Sequence, residues 1–121
     1  MQYQVLICDD SRLGRRSVNR CLPEGFAESI NEAANGQEAL DLLRTQKIDV
    51  LFLDLTMPVL DGVGVLEAIL IEKIAVSVIV VSGDVQPQMQ QKVVELGALD
   101  FIAKPLDTQK LGQVLAKWEL A

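Results

Sequence analysis

The sequence contains no histidine. That absence removes Ser-His-Asp catalysis, histidine-ligated zinc and a phosphohistidine relay through this chain. Cysteine is scarce too: Cys8 and Cys21 are the only two, too few for a disulfide framework and not spaced as a metal-binding pair. Cys8 stands in an apolar run and Cys21 on the apolar side of a helical segment, so both are expected as buried, reduced thiols. Aromatic residues make up 4% of the chain, with one Trp and one Tyr, which leaves little to sandwich a flavin ring. No continuous apolar run reaches the roughly 18 residues of a membrane span. The opening Met-Gln-Tyr-Gln has neither the basic flank nor the apolar stretch of a secretion signal, so a cytoplasmic location is expected. Basic charge is in deficit: 11 Lys and Arg against 17 Asp and Glu give a net charge of −6, which argues against sequence-independent binding to nucleic acid.

One segment runs against that deficit. Arg12, Arg15, Arg16 and Arg20 fall along one side of a helix. They read either as a solvated helix face or as a docking surface for an acidic partner. The rest of the chain is rich in apolar residues, 50% of the total with 23% charged, so folding into one domain over residues 1–121 is expected.

The order of elements alternates. Val5 to Cys8, Val50 to Leu53 and Val76 to Val81 are compact Val, Ile and Leu runs of the kind buried on both faces of a parallel sheet. Leu99 to Ala103 is a more mixed strand, and Phe26 to Ala33 alternates weakly, as an edge strand does. Between them lie helical patterns. Leu13, Val18 and Leu22 serve the first. Asn35 caps the second, with Glu38 three residues on and Ala39, Leu40 and Leu43 on one side. Val63, Leu66, Ile69 and Leu70 mark the third. Pro87 opens the fourth, through Met89, Val93, Val94 and Leu96 to a stop at Gly97. Asp107 caps the fifth, with Leu111, Val114, Leu115 and Trp118. Five β-α units imply an α/β, flavodoxin-like, doubly wound parallel sheet of five strands in the order 2-1-3-4-5, with helices on both faces.

In such sheets ligands sit beyond the carboxyl ends of the strands. Those ends carry Asp9-Asp10, Asp54, Ser82-Gly83 and Lys104-Pro105. Each alone is an ordinary turn residue; together they concentrate negative charge. Two carboxylates about 4 Å apart repel by roughly 4 kcal/mol at an effective dielectric near 20. One lysine does not balance three acids, and magnesium suits a few carboxylates plus water. With the metal bound, such a site can orient a phosphoryl group on its way to Asp54, and Lys104 and the Ser82 hydroxyl can hold the other oxygens.

Asp9-Asp10, Asp54, Ser82 and Lys104-Pro105 resemble, in order and spacing, the motif set of CheY-like response-regulator receivers in two-component signalling. The segment Asp54-Leu55-Thr56-Met57-Pro58, with Asp61-Gly62 after it, is similar as well. The resemblance covers essentially the whole chain. It implies that Asp54 accepts phosphate from a histidine kinase. It implies that Asp10 and Asp54 hold Mg2+ through their side chains, Thr56 through its backbone carbonyl and Asp9 mainly through water. The resemblance also implies that Ser82 and Phe101 take the switch positions, that Lys104 pairs with phosphate and that a cis peptide precedes Pro105. It implies too that Thr56 and Asp84 border the path of the hydrolytic water and tune the lifetime of the phosphorylated state.

A haloacid-dehalogenase-type phosphatase also uses an Asp nucleophile, a Ser/Thr, a Lys and magnesium. Where those enzymes carry a second acid, this chain has Thr56, and its acid pair precedes the nucleophile; a non-enzymatic switch is therefore expected. A flavin module would place its phosphate loop after the first strand, where two acids repel phosphate. Phe101 lacks the hydroxyl of the commoner tyrosine, and Gly83 adds freedom to a loop that has to move. Because the chain stops after the last helix, output is expected through protein contacts on the face around Gln90, Phe101 and Gln109. Chemotaxis is the first pathway to test, since Arg15 and Arg16 match basic positions of the CheY first helix. A monomer or weak dimer is expected, and the isolated receiver of a multidomain regulator is the alternative.

Overall fold

The computed structural model describes residues 2–121. Ten elements alternate along them: β1 (Tyr3–Cys8), α1 (Arg12–Cys21), β2 (Ala27–Ala33), α2 (Gly36–Thr45), β3 (Val50–Leu53), α3 (Gly62–Glu72), β4 (Ser77–Ser82), α4 (Pro87–Glu95), β5 (Asp100–Ala103) and α5 (Thr108–Lys117). The strands form one sheet in the order β2-β1-β3-β4-β5, every pairing parallel. This is the architecture that the alternation of elements predicts.

The two-residue period of the strands builds two cores. Leu6, Cys8, Leu51, Leu53, Val78 and Val80 point to one face, where Leu40 of α2, Leu66 of α3 and Val93 of α4 cover them. Val5, Ile7, Val50, Phe52, Ile79 and Val81 point to the other, under Val18 of α1 and Leu111 and Leu115 of α5. Strands apolar on both sides are what a sheet sandwiched between helix layers requires.

Helix starts follow their capping residues. Ser11, Asn35, Asp61 and Asp107 each accept a backbone N–H from the first turn of the helix they open, relieving one of the unpaired donors there. Asn35 takes the Glu38 amide at 2.9 Å, and Glu38 returns to the Ala34 amide at 2.9 Å. Pro87 opens α4 at a position whose missing N–H costs nothing.

Several sequence expectations need correction. Leu13, Leu70 and Val94, placed on buried helix sides by spacing, are 73%, 56% and 54% exposed. In α1 the inward phase falls on Val18, and Leu22 caps the helix from outside it. α3 carries apolar residues almost all round, so spacing alone does not reveal that Val65 is fully buried beside Leu66. Cys21 is half-buried, whereas Cys8 is buried as expected. Trp118, the α5 C-cap, is 38% exposed, its indole N–H donating to Asp100 at 2.9 Å. Strand bounds shift by one or two residues: β1 begins at Tyr3, β2 at Ala27, β4 at Ser77 and β5 at Asp100. No helix among the described residues is long and apolar enough to cross a membrane.

Candidate functional site

The parallel register brings the strand ends level. Cys8 pairs with Leu53 and Ser82 with Ala103, so Asp9, Asp54 and Lys104 each follow a paired rung. Backbone bonds extend the ladder past those rungs. The Asp9 amide donates to the Ala33 carbonyl at 3.1 Å, the Asp54 amide to Cys8 at 2.9 Å and the Lys104 amide to Ser82 at 2.9 Å. α3 begins hard against this edge, because a side chain at Gly62 would collide with the Asp54 carbonyl. The peptide bond between Lys104 and Pro105 is cis.

Three carboxylates converge here. One oxygen each of Asp9, Asp10 and Asp54 lies within 4.8 Å of the others. Asp9 and Asp54 are buried, while Asp10 is exposed. Opposite oxygens of an octahedral magnesium shell stand about 4.2 Å apart at a metal–oxygen distance near 2.1 Å, so a set held within 4.8 Å is close to that spacing, and three carboxylates suit the chemistry of such an ion. Their three charges against the one of Lys104 leave an excess that a dication cancels.

Lys104 does not point first at Asp54. Its Nζ donates to Asp9 Oδ2 at 2.8 Å and lies 3.6 Å from Asp54 Oδ1. The Asp9 carboxylate also accepts the Ser11 amide at 2.9 Å, and Asp54 Oδ1 accepts the Leu55 amide at 2.9 Å. Burial, and then the neighbouring charge of Asp9, push the Asp54 carboxyl above the ordinary 3.8, with Lys104 opposing. Burial works against the charge of Lys104, yet its bond to Asp9 and the charge of Asp54 carry it above 10.5. Cys8, one residue before the pocket, is pushed up to about 12 by burial and the adjacent acids, which makes it an inert thiol.

The remaining residues singled out in the sequence take different places in the fold. Ser82 is 1% exposed, and its hydroxyl accepts the Asp84 amide at 3.1 Å. Phe101 is half-buried against the core on the α4 side of the sheet. Thr56 is exposed and Asp84 half-buried. Gln90 is tied down by a 2.9 Å bond from its amide to the Val85 carbonyl, while Gln109 is exposed. Arg16 is exposed, but Arg15 is not a free surface charge. It donates to the Asp9 carbonyl at 2.7 Å and to Glu32 at 2.8 Å, with its side chain only 16% exposed. Sequence spacing marked the arginines as a stripe and missed that one of them braces the loop carrying the acids. The Asp9–Lys104 pairing was also invisible there, since it joins the ends of β1 and β5, which are not neighbours in the sheet.

A family profile described as "Response regulator receiver domain" matches residues 5–116. The chemotaxis protein CheY of Thermotoga maritima is 31% identical over 117 residues, 97% of this chain and 98% of that protein. A protein-glutamate methylesterase/protein-glutamine glutaminase of Syntrophomonas wolfei is 39% identical over 120 residues, 97% of this chain. This chain spans only 34% of the length of that relative. Among solved structures, a chain of the CheX-CheY-BeF3-Mg+2 complex from Borrelia burgdorferi matches with a TM-score of 0.90 at 31% identity, over 97% of this chain and 89% of that one.

Proposed function

Because the chain belongs to the response-regulator receiver family, we propose that it is a phosphorylation-activated switch whose acceptor is Asp54 and whose donor is a histidine kinase. The observation that carries this reading is the buried Asp54, set beside two further acids and within 3.6 Å of a lysine at the carboxyl edge of the sheet. An oxygen of Asp54 forms the new P–O bond as the P–N bond of the kinase phosphohistidine breaks, and the electron pair leaves on the imidazole nitrogen. Asp9, Asp10, Asp54 and the Thr56 carbonyl are the groups that would hold Mg2+. When bound, the ion would supply charge neutralisation for the transferring oxygens. Lys104 turns from Asp9 toward the phosphoryl group, a small rotation given that Asp54 already lies 3.6 Å away.

Output follows from the same charge. A phosphoryl group on Asp54 draws the Ser82 hydroxyl inward by a charge-assisted hydrogen bond, taking it from the Asp84 amide that it now accepts. Phe101, half-buried on the neighbouring strand, fills the space that this vacates. The surface of α4, β5 and α5 around Gln90, Phe101 and Gln109 then presents a different face to a downstream protein. The whole-length match to a chemotaxis protein supports chemotaxis as the pathway and the cytoplasm as the compartment. The match to one third of a methylesterase keeps open a receiver that is joined to another unit. Thr56 offers no acid for turnover, which favours a slow switch over a phosphatase, with Thr56 and Asp84 setting its lifetime.

The test is labelling with a small acyl phosphate followed by intact-mass measurement. One phosphoryl group is expected with magnesium, none without it, and none in Asp54→Asn. Undiminished labelling of that variant would overturn the assignment. Sustained turnover of a phosphate ester at about 1 per second or faster would favour the phosphatase.

A further inference from the structure

Gly14 stands in the first turn of α1, its amide donating to the capping Ser11 hydroxyl at 3.2 Å. A Cβ at this position would overlap Oδ2 of Asp9 and lie 2.6 Å from Cγ and 2.9 Å from Oδ1 of the same side chain. All three nearest neighbours of that missing carbon thus belong to one carboxylate. The carboxylate cannot easily step aside: it is buried, and its oxygens are held by the Ser11 amide at 2.9 Å and the Lys104 ammonium at 2.8 Å. Glycine is the poorest helix former after proline, so α1 gives up helix stability where an alanine would restore it. Gly14 and Lys104 also line a cavity of about 520 Å³ between α1 and the loop after β5.

We propose that Gly14 is a positioning residue of the acid pocket. Having no side chain, it lets α1 close onto Asp9 and fixes that carboxylate between the Ser11 amide and Lys104. The inference rests on reading the pocket as a magnesium-assisted phosphoacceptor site, and Gly14 itself touches neither cation nor phosphoryl group. A methyl group there drives the Asp9 carboxylate out of its niche, breaks both of its hydrogen bonds and disorders the three-oxygen set.

Gly14→Ala is made both in the parent chain and in Asp9→Ala, and thermal midpoints are compared without metal. The midpoint is expected to fall in the parent background and to rise in Asp9→Ala, where the carboxylate is gone and only the helix gain remains. Magnesium titration followed by nuclear magnetic resonance, with no phosphodonor present, is expected to show affinity reduced about tenfold or more in Gly14→Ala, the usual loss when a group orienting a metal ligand is removed. Midpoints that move in the same direction in both backgrounds, or unchanged magnesium affinity, overturn the proposal. Failure to fold in both backgrounds overturns it too, because the collision would then be with something other than the carboxylate; failure in the parent background alone supports it. If the parent binds no magnesium, the metal-assisted reading fails, while the reversal of sign between backgrounds still decides the role of Gly14.

Discussion

Two ion pairs of similar length hold very different places in this protein. Arg44 of α2 grips Glu72 of α3 through two parallel bonds of 2.9 and 2.6 Å. Lys104 meets Asp9 through one bond of 2.8 Å. The first has the better geometry: its hydrogen bond raises the guanidinium and lowers the carboxyl. It lies in solvent, however, where water and salt weaken the attraction and holding two long side chains costs entropy. The second sits in a pocket where Asp9 is 5% exposed and a further acid stands 3.6 Å from the same ammonium. There the partners have given up hydration, and losing one strands the other. Bond length therefore says little about consequence; the surroundings decide it.

Removing Lys104 tests that contrast hardest. Lys104→Met keeps an aliphatic stem but leaves three acids without a cation, and is expected to cost about 1–2 kcal/mol at neutral pH. That is below the 3–5 kcal/mol of a fully enclosed pair, because Lys104 is one-third exposed. Urea midpoints measure the loss, and added magnesium recovers more of it than it adds to the parent.

Asp54 sharpens the same point through pH. Its folded carboxyl is raised by burial, then by Asp9, against the pull of Lys104. A carboxyl raised on folding favours the folded state when protonated, so its charge costs stability at neutral pH. That cost fades as pH falls through the raised value toward 3.8. Asp54→Asn is expected to be more stable than the parent at neutral pH, with the gap closing as acid is added. Denaturation midpoints across the acid range check both parts. Asp10→Asn relieves repulsion at the exposed rim, where screening is stronger. Apo stability is expected to rise by about 0.5–1 kcal/mol while magnesium affinity falls, and paired denaturation and metal titrations separate the two. Arg44→Ala closes the series: its midpoint shift should be close to the resolution of the measurement and vanish at high salt, despite the fork geometry.

Much of this molecule was legible before its coordinates. β3 was bounded to the residue, because four consecutive buried positions leave no phase to misjudge. The α2 start was equally plain, since Asn35 and Glu38 signal it chemically. The strand-end acids and lysine could be grouped because parallel topology sends every strand end to one edge. What was hidden depends on helix rotation and on close approach. In α1 the expected apolar side turned Leu13 outward, and the arginine stripe concealed the inward Arg15. In α3 a nearly continuous apolar surface erased the period that would have singled out Val65. The preference of Lys104 for Asp9 over Asp54 joins the ends of β1 and β5, two strands that are not neighbours in the sheet, and no spacing along the chain encodes that distance.

The level rungs at the carboxyl edge carry one more implication. Asp9, Asp54, Ser82 and Lys104 come from four strands, and each is placed by the pairing of the strand it ends or follows. A slip of one residue in any pairing would move its contribution about 3.3 Å along the strand and turn it to the opposite face. The pocket thus works as an AND gate on folding: Asp9, Asp54, Ser82 and Lys104 meet only when all three strand pairings are in register, so a misassembled copy has no pocket at all.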